Sequence, residues 1–118
     1  MEIVKTVISS RIAVVFCFIA LDIFTGWIKA FSTGSYNSSV MRKGLWHKLS
    51  ELLGVGFGYL CDCALPRVGV TLPVQLSAAI VAYIVVMECT SIIENLGAVS
   101  PAIGKFLSKY FEKVDGEK

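Results

Sequence analysis

Charge is what this chain has least of. Only 17% of its 118 residues are charged while 55% are hydrophobic, and its mean hydropathy is +0.71. Soluble domains carry about 25% charged residues, and a domain this small has a large surface to solvate. So few charges exclude an ordinary soluble enzyme and a disordered tail, and they point to lipid as the solvent. A formal net charge of +2 is too small to suggest a nucleic-acid partner.

Histidine is scarcer still. His47 stands alone and has no second imidazole with which to share a metal ion. The four cysteines Cys17, Cys61, Cys63 and Cys89 fall in or beside apolar segments, and Cys61-x-Cys63 lacks the Cys-x-x-Cys spacing of redox and zinc sites. They read as small buried apolar residues. No Ser/His/Asp constellation or nucleophile elbow is present, and the run Gly54-Val55-Gly56-Phe57-Gly58 lacks the lysine of a phosphate-binding loop. No catalytic residue, cofactor or metal site is therefore expected.

What the chain does have is apolar segments. From Ile12 to Phe31 it is apolar apart from Asp22, Thr25 and Lys29, and about 20 residues at 1.5 Å each match a hydrocarbon layer of roughly 30 Å. A signal peptide has a similar outline, but the apolar core lacks a small-x-small cleavage site and Asp22 lies inside it, which favours a retained helix. Residues 32–47 read as a polar loop with a short helical turn near Val40–Trp46. A second segment, about 49–65, is weakened by Glu51, Asp62 and three glycines, and either spans or re-enters between its neighbours. The third, about 70–93, is the strongest, with Pro73 in a first helical turn and Gly97 beyond it as a helix end. Ser100-Pro101 then opens a last helix, about 101–114.

That last helix is too short and too charged to span. Ile103, Phe106, Leu107, Tyr110, Phe111 and Val114 recur at helical spacing, with Lys105, Lys109, Glu112 and Lys113 on the other side. It is expected on the membrane surface, with Phe106 and Tyr110 turned to lipid and its lysines among anionic headgroups. Trp27, Trp46, Tyr36 and Tyr59 are candidate interfacial anchors. The expected class is thus an all-α membrane protein forming one domain of about three spans and one interfacial helix. Arg42, Lys43, Lys48, Lys105, Lys109, Lys113 and Lys118 then lie on one side, against Lys5, Arg11 and Arg67 on the other. This places the N-terminus outside and the C-terminus in the cytoplasm.

A charge at the bilayer centre costs roughly 2.5–3.5 kcal/mol on insertion scales, so the polar residues within the segments need a reason. Asp22, Thr25, Gly26 and Lys29 form one stripe of the first helix. Glu51, Gly54, Gly58 and Asp62 share a face of the second, and Glu88, Ser91 and Asn95, with Glu94 nearby, share one of the third. One reading has these stripes pack helix against helix, with Gly54-x-x-x-Gly58 allowing close approach and Asp22 paired to Lys29 or to another helix. The other has them line a lumen or an interface between copies, since so few helices in one subunit do not enclose an aqueous path.

Three stretches occur together in order: Asp22-Ile-Phe-Thr-Gly26-Trp-Ile-Lys29-Ala30, Ser39-Val-Met41-Arg-Lys-Gly44 with Lys48, and Met87-Glu88-Cys-Thr-Ser91-Ile-Ile-Glu94-Asn95 followed by Gly97 and Pro101. In these the chain resembles the phage holins related to the clostridial toxin-secretion holins, from about Ala13 to Lys109. The resemblance implies a homo-oligomer of the bacterial cytoplasmic membrane that forms holes at a set time. Those holes would release an endolysin, or a toxin in toxin-secreting relatives, without a required direct contact. Two other classes stay open from the residues alone. One is a small proton-coupled transporter using Glu88 or Asp22, and the other is a membrane anchor or assembly subunit whose stripes only pack helices.

Overall fold

The computed structural model describes Glu2 and residues 10–116, with the backbone alone for 114–116. Among the described residues the regular structure is entirely helical. Four α-helices follow one another: α1 (Arg11–Thr33), α2 (Ser38–Ala64), α3 (Leu76–Val99) and α4 (Pro101–Gly116). A 3₁₀ turn, Leu65–Val68, leads out of α2.

Each boundary has a local cause. α1 ends where Gly34 takes the left-handed conformation (φ 70°), which lets the Gly34 and Ser35 amides both donate to the Ala30 carbonyl. Asn37 then caps α2, its Oδ1 accepting from the amides of Ser39 (2.9 Å) and Val40 (3.3 Å). The expected polar loop is therefore only the short turn at 34–37, and residues 38–47 are the first part of α2. Serine and asparagine act there as a cap, and the basic residues that follow occupy exposed helix positions.

The start of α3 also differs from expectation. Pro73 lies before the helix, which begins at Leu76. Gln75 makes no side-chain cap, and Asp62 of α2 takes its place. Its carboxylate accepts from the Leu76 amide (2.6 Å), the Ser77 amide (3.1 Å) and the Ser77 hydroxyl (2.5 Å). The negative charge thereby sits at the positive end of the helix dipole. Gly97 does not end α3, which continues to Val99; it is instead where α4 crosses. A Cβ on Gly104 would lie 2.5 Å from the Gly97 Cα, so the crossing depends on glycine at that position. Beyond Leu107 the described side chains of α4 are exposed.

α3 is the central element and touches the other three helices, whereas α1 and α2 barely meet. Arg11 donates to Ser77 Oγ at one end of the α1–α3 pair (3.4 Å), and Asn95 reaches Asp22 and Thr25 further along. α1 and α3 therefore run in the same direction. α2 runs against both, since its Asp62 is level with Ser77 and its Lys48 with Glu88.

The apolar core is small: Val15, Ile19, Val55, Val81 and Ile84, with Ile12, Ile23, Leu52, Ile80 and Val85 against it. Most large apolar side chains point outward instead, among them Phe16, Phe24, Phe31, Leu53, Phe57 and Tyr83. Cys17 and Cys63 are exposed too, which corrects their reading as buried packing residues. Among the described residues two helices, α1 and α3, are long and apolar enough to cross a membrane. At 1.5 Å per residue each extends about 35 Å.

Candidate functional site

Of the buried polar residues, Asp22, Thr25 and Glu88 converge between the helices near mid-length, while Ser77 lies at the start of α3. Asp22 stands eleven residues from either end of α1, and Glu88 is at the middle of α3. Lys48 of α2 lies between them. Its ammonium donates to Asp22 Oδ2 at 2.5 Å and to Glu88 Oε1 and Oε2 at 2.6 and 2.7 Å. A lysine has three N–H donors, so these contacts use all of them. The side chains of Lys48, Asp22 and Glu88 retain only 14%, 10% and 2% of their exposure.

Second contacts fix the triad in place. Asn95 Nδ2 donates to Asp22 Oδ1 (2.9 Å), to the Asp22 carbonyl (3.3 Å) and to Thr25 Oγ1 (3.1 Å). The Thr25 hydroxyl in turn donates to the Leu21 carbonyl at 2.8 Å. Gly26 lies beside this amide; a Cβ there would be 3.6 Å from it, an ordinary van der Waals contact that does not require glycine. On the α2 side Glu51 approaches Lys48 (3.8 Å) and His47 Nε2 (3.1 Å), and its Oε2 is buried without a hydrogen-bond partner.

Several expected residues thus meet: Asp22, Thr25, Gly26, Glu51, Glu88 and Asn95 belong to one cluster. Gly58 and Asp62 form a separate contact near the start of α3. A Cβ on Gly58 would lie 2.9 Å from the Ser77 Cα, so α2 and α3 touch backbone to backbone there. Gly54 is not part of that approach, because nothing lies within 4 Å of its Cβ position; only the second glycine of the small-xxx-small pattern serves the packing. Lys29, Ser91 and Glu94 are outside the triad and line a cleft of about 590 Å³ that leads to it between α1, α2 and α3. Lys105, Phe106, Lys109, Tyr110 and Lys113 are all exposed on α4.

Lys48 is the residue that sequence reasoning misses. Beside Arg42 and Lys43 it reads as a loop cation that orients the chain, which leaves Asp22 to pair with Lys29 or with an unspecified helix. The structure corrects the first point and, of the two pairings, gives Asp22 the one with another helix, through Lys48 of α2; a signal is present, since segments rich in unbalanced acids need a cation and Lys48 precedes Glu51 by one helical turn. Of the other orienting residues, Lys5 and Lys118 lie outside the described residues, as does the Val114 side chain.

A protein of Halalkalibacterium halodurans whose function is uncharacterised is 26% identical over 107 residues, covering 91% of this chain and 79% of that protein. No solved structure matches the chain. The family model described as the bacteriophage holin family matches residues 2–116. Nearly the whole length is covered, triad and cleft included, and the chain belongs to the bacteriophage holin family.

Proposed function

We propose that this protein is a holin that accumulates in the bacterial cytoplasmic membrane, associates with copies of itself and opens holes that end the life of the host cell. The observation that carries this reading is the Asp22–Lys48–Glu88 triad. It lies midway along two helices long enough to span, inside a chain of the holin family. α1 and α3 run in parallel, and if both cross the bilayer the chain between them must cross back. α2, at 27 residues, has the length to do so. That supports three crossings, with Lys48 held at mid-depth by its two acids.

In one subunit this arrangement is closed. The carboxylates and the ammonium are tolerated in hydrocarbon only while they satisfy one another. α2 is the helix best placed to leave, since it barely meets α1 and holds α3 through the triad, the Gly58 approach and the Asp62 cap. As copies concentrate, displacement of α2 exchanges the internal ion pairs for water in a lumen shared between subunits. The stripe residues Asp22, Thr25, Gly26, Lys29, Glu51, Ser91, Glu94 and Asn95 then line that lumen or the interfaces around it. Because one charge moved through 100 mV is worth about 2.3 kcal/mol, collapse of the membrane potential favours such a shift.

With Lys48 removed from the orienting charges, Arg42, Lys43 and the α4 lysines still outnumber Arg11 and Arg67, which favours a cytoplasmic C-terminus. α4 then lies on the inner surface with Phe106 and Tyr110 in lipid and Lys105, Lys109 and Lys113 among headgroups. An endolysin, or a toxin, leaves through the hole without needing to touch this protein. The test is inducible expression in a bacterium with membrane potential and growth recorded together. The potential should collapse abruptly after a delay, and Asp22→Asn or Glu88→Gln should change that delay. Cells that keep their potential while the protein accumulates in their membrane would exclude the reading.

A further inference from the structure

The cleft beside the triad has a composition that helix packing does not require. Its apolar walls are Ile23 and Trp27 of α1 and Met41 and Leu45 of α2, and α3 closes the back. Lys29 and Lys43 line it from those same two helices. Neither ammonium has an ion-pair or hydrogen-bonded partner among the described residues, nor does the carboxylate of Glu94 on the back wall. Lys29 lies seven residues beyond Asp22, hence about 10 Å along the axis from mid-depth, within reach of the headgroup level for a snorkelling lysine.

We propose that this cleft is a binding site for one anionic phospholipid of the phosphatidylglycerol type. The phosphodiester sits between Lys29 and Lys43, and one acyl chain lies between α1 and α2 against Ile23, Trp27, Met41 and Leu45. Charge complementarity and the unfilled gap between the two helices select this occupant. Glu94 disfavours a free, multiply charged phosphate, whereas it accepts hydrogen bonds from the headgroup hydroxyls. A lipid wedged there fills the space that keeps α1 and α2 apart, and so holds the closed subunit together beside its ion triad. The proposal rests on the reading that α1 and α2 cross the membrane.

The chain has two tryptophans, so Trp46→Phe leaves Trp27, in the cleft wall, as the sole reporter. The full-length protein is reconstituted in phosphatidylcholine vesicles containing a small fraction of either brominated phosphatidylglycerol or brominated phosphatidylcholine. The expected result is stronger quenching by the phosphatidylglycerol at equal fraction. Loss of Lys29 and Lys43 together (K29A/K43A) should remove that preference, roughly fivefold for each lysine lost. Substitution of Lys105, Lys109 and Lys113 by Gln should leave it intact, and so should inorganic phosphate. Equal quenching by both lipids shows an inserted protein without the site and overturns the proposal alone. Quenching by neither lipid shows that α1 is not in the bilayer and overturns the membrane reading with it. A preference that survives K29A/K43A, follows the α4 lysines or is displaced by inorganic phosphate also overturns the proposal.

Discussion

Replacing Lys48 by Met keeps an unbranched side chain, one atom shorter, and removes the cation between Asp22 and Glu88. The size of the effect follows from burial. Glu88 keeps 2% of its side-chain exposure and Asp22 10%, so neither carboxylate can turn to water without moving a helix. Removing one partner of a buried pair costs about 3–5 kcal/mol, because a charge is left uncompensated. That is roughly two to three and a half orders of magnitude in the folding equilibrium. Neutralising the two acids as well should reverse the loss. With Asp22→Asn and Glu88→Gln added to Lys48→Met, the triad holds no charge and only Glu51, which keeps its contact with His47, remains in the cluster, so stability should return to within about 1–2 kcal/mol of the starting protein. The amide introduced by Asp22→Asn can still accept from Asn95, so the polar contact of α1 with α3 is not lost. Detergent-induced unfolding in mixed micelles, followed by tryptophan fluorescence, reads both variants on one scale. A single variant within about 0.5 kcal/mol of the parent, or a triple variant weaker than the single one, would refute the reasoning.

The glycines of α2 should separate in the same assay. Gly58→Ala places a methyl 2.9 Å from the Ser77 Cα and should cost about 1–3 kcal/mol, whereas Gly54→Ala meets nothing and should be neutral or stabilising by up to about 1 kcal/mol. Gly104→Ala, with its methyl 2.5 Å from the Gly97 Cα, should push α4 off α3 and raise proteolytic cleavage around Ser100, while the triad stays intact. Asp62→Ala removes the side-chain cap of α3 and should cost about 1–2 kcal/mol, with amide exchange rising first at Leu76 and Ser77. Asp62→Asn, whose single carbonyl oxygen can still accept from either Leu76 or Ser77, should recover part of that loss.

How far a sequence leads depends on the kind of signal. Apolar runs locate α1 almost to the residue, because lipid demands a continuous stretch and Gly34 is needed where the helix turns left-handed. Residues 38–47 mislead because serine, asparagine and glycine suggest a loop whether they cap a helix or interrupt one. Only the bonds from Ser39 and Val40 to Asn37 decide between the two. Pro73 and Gly97 mislead in a related way. Asp62, distant in sequence, supplies the helix start that Pro73 suggests, and Gly97 serves a helix crossing instead of a helix end. The acids of the site are legible, since each is costly in lipid and recurs at helical spacing. Their partner is not, because a lysine at the edge of a basic run looks like an orienting charge until the fold turns α2 inward. Which glycine packs is likewise a tertiary fact, and Gly54 and Gly58 are alike in sequence.

The central claim is that the closed bundle becomes a hole large enough for protein. Induced cells carrying a cytoplasmic fluorescent protein, together with a size series of external dyes, test this most directly. Small dyes should enter and the folded reporter should leave together, at the moment the potential collapses. Loss of potential with the folded reporter retained would contradict the claim and favour a small proton-coupled transporter. Unchanged permeability at high membrane abundance would leave a helix-packing anchor.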